Sequence, residues 1–166
     1  METLNNSNQD SDTETLPPQI VDKLVELYDR GDFTNVVDQA QNIVDQYPKA
    51  FIVWNILGAS ATQIGKSDKA IEAYKKSISL RPDYAEAYNN MGIAFKFQGK
   101  LKIAIEYFQK AISLSPDNAN AYFNLGNVYR DLVRYEDAIE VYNMVLSLKP
   151  DSVSYTHLTL PTMFEV

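Results

Sequence analysis

Residues 85–118 read AEAYNNMGIAFKFQGKLKIAIEYFQKAISLSPDN, and the same pattern stands one period earlier and one period later. Gly58, Gly92 and Gly126 are 34 residues apart, as are Ala70, Ala104 and Ala138, and as are Pro48, Pro82, Pro116 and Pro150. A fixed period of this length marks a solenoid, in which each unit is a small motif that can bury its apolar face only against its neighbours. Within the stretch, apolar residues fall at helical spacing twice. Tyr88, Met91, Gly92 and Phe95 make one stripe; Leu101, Ala104, Ile105, Phe108, Ala111, Ile112 and Leu114 make the other. Gly99 stands between them, where a left-handed helix stop has no steric cost, and Pro116 prevents the second helix from continuing.

Working outward, residues 51–84 and 119–152 follow the same plan, and residues 17–50 follow it more loosely. The second unit has Trp54, Leu57, Gly58 and Ala61, a stop at Gly65, then Ala70, Ile71, Tyr74, Ile78 and Leu80. Ser67 or Asp68 is expected to cap its second helix. The fourth unit has Tyr122, Leu125, Gly126 and Tyr129, then Tyr135, Ala138, Ile139, Tyr142, Val145, Leu146 and Leu148. Val133 replaces its stop glycine; a β-branched residue is poor at positive φ, so this turn is expected to be strained or differently shaped. In the first unit Ile20, Leu24, Leu27 and Tyr28 precede Gly31, and Phe33, Val36, Val37, Ala40, Ile43 and Val44 follow it. Each unit therefore reads as two antiparallel helices. A small residue at the eighth position of the first helix and another at position 20 of the unit let the pair approach closely. Trp54, Tyr74 and Tyr88 read as core.

The 166 residues include no cysteine and one histidine, and the formal charge is −7. That composition excludes a disulfide framework, a thiol nucleophile and a cysteine metal cluster. It argues against nucleic acid and against an anionic membrane as partners. Acids against bases run 6 to 3, 3 to 5, 3 to 4 and 5 to 3 over the four units, so the middle of the array is mildly basic and its ends acidic. Residues 1–16 hold Glu2, Asp10, Asp12 and Glu14 and no base, and read as a disordered acidic tail. With no secretory signal and no apolar run of membrane-spanning length, the expected location is cytoplasmic. There is no phosphate-cradling glycine loop and no triad, and His157 lies beyond the last unit, so neither catalysis nor a cofactor is expected. Glu136 and Glu140 share a helix face and read as solvated.

The arrangement resembles the tetratricopeptide repeat. The residues that carry the likeness are Trp54, Leu57, Gly58, Ala70, Tyr74 and Pro82; then Tyr88, Gly92, Phe95, Ala104, Phe108, Ala111 and Pro116; then Tyr122, Leu125, Gly126, Tyr129, Ala138, Tyr142 and Pro150. The first unit departs, with Leu24 in place of the small residue and Val36 in place of the alanine, as expected of a terminal unit. The resemblance implies an all-α, right-handed α-solenoid of four antiparallel helix pairs over residues 17–152. It also implies a concave groove lined by the first helices, which holds an extended peptide or a partner helix. Positions 2, 5, 6, 9 and 12 of the first helices would point into it. The candidates among them are Ile52, Asn55, Ala59 and Thr62; then Glu86, Asn89, Asn90, Ile93 and Lys96; then Asn120, Phe123, Asn124, Asn127 and Arg130. A row of asparagines suits an extended backbone, because each amide offers a peptide group both a donor and an acceptor. Lys96 and Arg130 do not sit where a carboxylate clamp would need them. The expected function is a non-catalytic scaffold that binds a protein or extended peptide. The alternative is the recognition arm of a larger enzyme, such as a glycosyltransferase, a sulfotransferase or an iron-dependent oxygenase.

Residues 153–166, VSYTHLTLPTMFEV, leave the pattern. VSYTHLTLPT matches the translation of a transposon-end sequencing adapter, so this tail reads as an assembly artefact and the array is expected to continue. The face of the fourth unit that a fifth would cover is then expected to expose apolar surface and to favour self-association.

Overall fold

The computed structural model describes residues 16–148. They form α1 Pro18–Asp29, α2 Phe33–Gln46, α3 Phe51–Gln63, α4 Ser67–Leu80, α5 Ala85–Phe97, α6 Leu101–Leu114, α7 Ala119–Asp131 and α8 Tyr135–Leu148. The architecture is an all-α solenoid of helix pairs. The expected tails, 1–15 and 153–166, lie outside the described residues; Leu16, assigned to the first tail by composition, packs against the core. No described helix is long and apolar enough to cross a membrane.

All four intra-unit turns have one shape. Gly31, Gly65, Gly99 and Val133 sit at φ of 77°, 73°, 71° and 61°. The residue after each donates its N–H five residues back: Asp32 to Leu27, Lys66 to Ala61, Lys100 to Phe95 and Arg134 to Tyr129, at 2.8–3.1 Å. This is the Schellman stop, which satisfies orphan helix carbonyls. Val133 therefore keeps the shape of the turn and carries the strain. The caps differ from expectation. α4 starts directly after Lys66 with no side-chain cap, and Ser67 and Asp68 are already helical. Among the described residues a side-chain cap forms at α7, where Asn118 Oδ1 accepts from Ala121 N–H at 3.0 Å.

The glycine at position 8 is fixed by the aromatic ring at position 24. A Cβ on Gly58, Gly92 or Gly126 would stand 2.6, 2.6 or 2.4 Å from the ring of Tyr74, Phe108 or Tyr142. The first unit inverts the sizes: position 8 is Leu24 and position 24 is Ala40, both fully buried. Its departure from the pattern is a compensated exchange across the same helix pair. Ala70, Ala104 and Ala138 are buried as expected, and so is Tyr74. Trp54 and Tyr88 are only half-buried. They tie each first helix to the proline that closes the preceding unit: Trp54 Nε1–H donates to Pro48 O at 2.9 Å and Tyr88 O–H to Pro82 O at 3.1 Å.

Candidate functional site: the inner face of the first helices

The first helices of successive units pack on one another, α1 on α3, α3 on α5 and α5 on α7, whereas no comparable packing joins α2 with α4, α4 with α6 or α6 with α8. The first helices therefore lie on the inner, tighter side of the curve and the second helices splay outside. On the outer side, Trp54 and Val44 line a groove of about 620 Å³ that runs between α2 and α4.

On the inner side the asparagines bond to one another in register. Asn90 Nδ2 donates to Asn55 Oδ1 at 3.2 Å, and Asn124 Nδ2 donates to Asn89 Oδ1 at 3.0 Å. Each pair joins position 5 of one unit to position 6 of the next, 35 residues on. A longer link of 3.5 Å runs from Asn89 Nδ2 to Asn90 Oδ1 and connects the two pairs. Asn55 Nδ2 approaches Glu86 Oε1 at 3.5 Å, and Glu86 Oε2 accepts from Tyr84 O–H at 2.8 Å. Burial, then the adjacent Glu86 charge and this hydrogen bond, raise the Tyr84 pKa, so the phenol stays a donor. Asn55 and Asn89 are buried, at 3% and 7% exposure, while Asn90 and Asn124 are half-open.

The remaining candidates divide by environment. Ile93, Phe123, Asn127 and Lys96 are half-buried; Glu86, Asn120 and Arg130 are exposed. Asn127 Oδ1 accepts from Tyr142 O–H at 2.9 Å, and Phe123 lies 6.1 Å from the Tyr142 ring. Thr62 Oγ1 donates to Gly58 O at 2.9 Å. The two cations flank one carboxylate: Lys96 Nζ is 3.4 Å from Asp131 Oδ2, and Arg130 is 3.2 Å from Asp131 Oδ1. Asp131 escaped the sequence reading, and so did Phe97, its counterpart one period earlier, which is 72% exposed. Lys96 and Asp131 are 35 apart, the offset of the amide pairs. Among the described residues no cluster of His, Asp and Glu could hold a metal ion.

Repeated helix hairpins with a polar, hydrogen-bonded inner face define an α-solenoid of the protein-recognition class. A family model of the tetratricopeptide repeat matches residues 89–153, and a second, of the TPR repeat, matches residues 58–99. The chain belongs to the tetratricopeptide repeat proteins. It is 32% identical to the crystal structure of MamA, with 81% of this chain and 77% of that one covered and a TM-score of 0.69. A thermophilic TPR protein of Thermus thermophilus shares the fold at 16% identity and TM-score 0.79, with coverage of 86% and 78%. Over 68 residues, 41% of this chain, it is 29% identical to the peroxisomal targeting signal receptor of Saccharomyces cerevisiae. The chain spans about a tenth of the length of the curated relatives it matches, 11% in that case.

Proposed function

We propose that this chain is a protein-interaction scaffold that holds an extended peptide along the inner face of α3, α5 and α7. One observation carries the reading, the in-register pairing of Asn55 with Asn90 and of Asn89 with Asn124. An amide has two donor hydrogens and two acceptor lone pairs. In Asn90 one N–H and one lone pair are used within the row, and in Asn124 one N–H is used. The unused groups recur once per unit on half-open side chains. The buried members, Asn55 and Asn89, act as anchors that hold the outer amides in one rotamer. Ordering is then already complete before a ligand arrives, which lowers the cost of binding. Ile93 and Phe123 add apolar contacts. The likeness to part of a targeting signal receptor supports a recognition role of this kind.

The test begins with a displayed library of random ten-residue peptides selected on the full chain. Affinity of the winning peptide is then measured for Asn90→Ala and Asn124→Ala. Each amide–peptide hydrogen bond is worth about 1 kcal/mol, so each variant should bind about fivefold more weakly. Thermal melts keep loss of fold apart from loss of ligand. Selected peptides whose affinity is the same for both variants would overturn the reading.

A further inference from the structure

Three aromatic rings meet in the third unit. Tyr107 on α6 stacks on Phe95 of α5 at a centroid distance of 5.2 Å and lies tilted against Tyr88 at 6.3 Å. One period earlier, the counterparts of Tyr88, Phe95 and Tyr107 are Trp54, Ala61 and Ala73. One ring remains where the next unit has three. The outer groove of about 620 Å³ between α2 and α4 lies on that ring, with Asp45 and Pro48 on one wall and Glu72, Lys75 and Lys76 on the other. A second recess, of about 300 Å³, shares Trp54 and Glu72 with it and has Ala73 in its lining. The indole is half-buried, and its bond from Nε1–H to Pro48 O at 2.9 Å holds the ring in place. Its edge is thus committed to the backbone and its surface is turned to the groove.

We propose that the groove on Trp54 is a second binding site, which takes an aromatic side chain presented by a partner chain. The occupant is read from the protein's own packing. Tyr107 shows what completes the aromatic cluster one unit on, and Ala73 leaves that place to be filled from outside. Net charge does not select the occupant, because the exposed pair Asp45 and Glu72 balances the exposed pair Lys75 and Lys76. The ring does: aromatic pairs gain both a large buried area and a preferred stacked or edge-to-face geometry. The Trp54 ring is already fixed, so little ordering is left to the moment of binding. The site lies on the outer side of the array, opposite the amide row, and is independent of it.

The probe is a displayed library of ten-residue peptides with tyrosine fixed at the centre and the other positions random, selected on the full chain. Trp54 is the one tryptophan of the chain, so its indole N–H gives a single signal in a proton–nitrogen correlation spectrum and reports the site directly. The winning peptides should shift that signal. Ala73→Tyr, which places in the groove the side chain that the next unit carries, should weaken their binding about tenfold, and Asn90→Ala and Asn124→Ala should leave it unchanged. Replacing the fixed tyrosine of the peptide by alanine should also cost about tenfold, and by leucine about threefold; these two measurements hold even where Ala73→Tyr fails to fold. Peptides that leave the indole signal unmoved, that bind Ala73→Tyr as well as the parent, or that tolerate leucine without loss overturn the proposal. An indole signal that moves on dilution of the chain alone, or on removal of residues 153–166, would make a second copy or this chain's own Tyr155 or Phe164 the occupant and overturn the assignment to a partner.

Discussion

Gly92 and Phe108 offer a perturbation whose sign should depend on background. A Cβ added at Gly92 would meet Phe108 ring atoms at 2.6, 2.8 and 3.0 Å. The optimal carbon–carbon separation is about 3.5–4.0 Å, so the ring has to retreat by about 1 Å. Phe108 is fully buried among Ala104, Leu125 and Tyr129, and there is no open side to move to. Overpacking of this kind costs about 1–3 kcal/mol. Alanine in place of glycine inside a helix restores about 1 kcal/mol. The balance is a destabilisation of about 1 kcal/mol for Gly92→Ala. In a Phe108→Leu background the ring is gone and the added methyl occupies part of the vacated space. Gly92→Ala should there stabilise by about 1 kcal/mol. The coupling energy is then about 2 kcal/mol, within the range of residues in direct contact. Urea unfolding of the four proteins of the cycle, followed by far-ultraviolet circular dichroism, measures it. If Gly92→Ala changed stability by the same amount in both backgrounds, to within about 0.5 kcal/mol, the ring would not be what requires the glycine.

Two other changes should stabilise the chain. Ser60 is fully buried and its Oγ has no hydrogen-bond partner. The following units hold Ala94 and Val128 in its place, so Ser60→Ala should add about 1 kcal/mol in the same urea assay, and a loss of stability would count against the accounting. Val133 is at φ 61° and 65% exposed. Val133→Gly should relieve the strain while losing little burial, for a net gain of about 1 kcal/mol; an unchanged midpoint would mean that the valine turn is not strained.

What the sequence made legible is what recurs at one position in every unit. The period, the helix pairs, the glycine stops and the small residues at positions 8 and 20 all follow from packing that each unit repeats within itself. Contacts between units were harder to read. The asparagines were identified as a row facing the groove, yet their bonds run at an offset of 35, one more than the period. That extra residue reflects the stagger between neighbouring first helices, which a pattern of single positions does not contain. Asp131 was missed for the same reason, since its partner Lys96 is in the unit before. The first unit misled differently. Leu24 against a column of glycines reads as drift, and only its buried opposite, Ala40, reveals an exchange of volumes across one helix pair. The cap expected at Ser67 or Asp68 failed because the helix starts directly after Lys66, so neither side chain stands outside it.

The groups at the two ends of the amide row give the inner face a direction. Units two and three supply asparagine at position 5, and each is met by an asparagine at position 6 of the unit that follows. Unit four has Phe123 at position 5, so a further unit could not extend the row by the same bond. Beside Phe123 the chemistry changes to an aromatic face, with Tyr142 bonded to Asn127, and about two turns further along α7 to the Lys96–Asp131–Arg130 cluster. At the opposite end, Glu86 receives hydrogen bonds from Tyr84 and Asn55 and leaves a carboxylate on an exposed side chain. A bound peptide would therefore meet an anion first, then backbone-matching amides, then an aromatic and cationic patch. Reversing the peptide would set its charges against those of the groove. An ordered row of amides alone has no such preference, since a peptide backbone offers donors and acceptors in both directions. In a peptide bound as proposed, discrimination between the two orientations would rest on Glu86 at one end and Phe123 with Arg130 at the other, while Asn90 and Asn124 would supply affinity that is indifferent to direction.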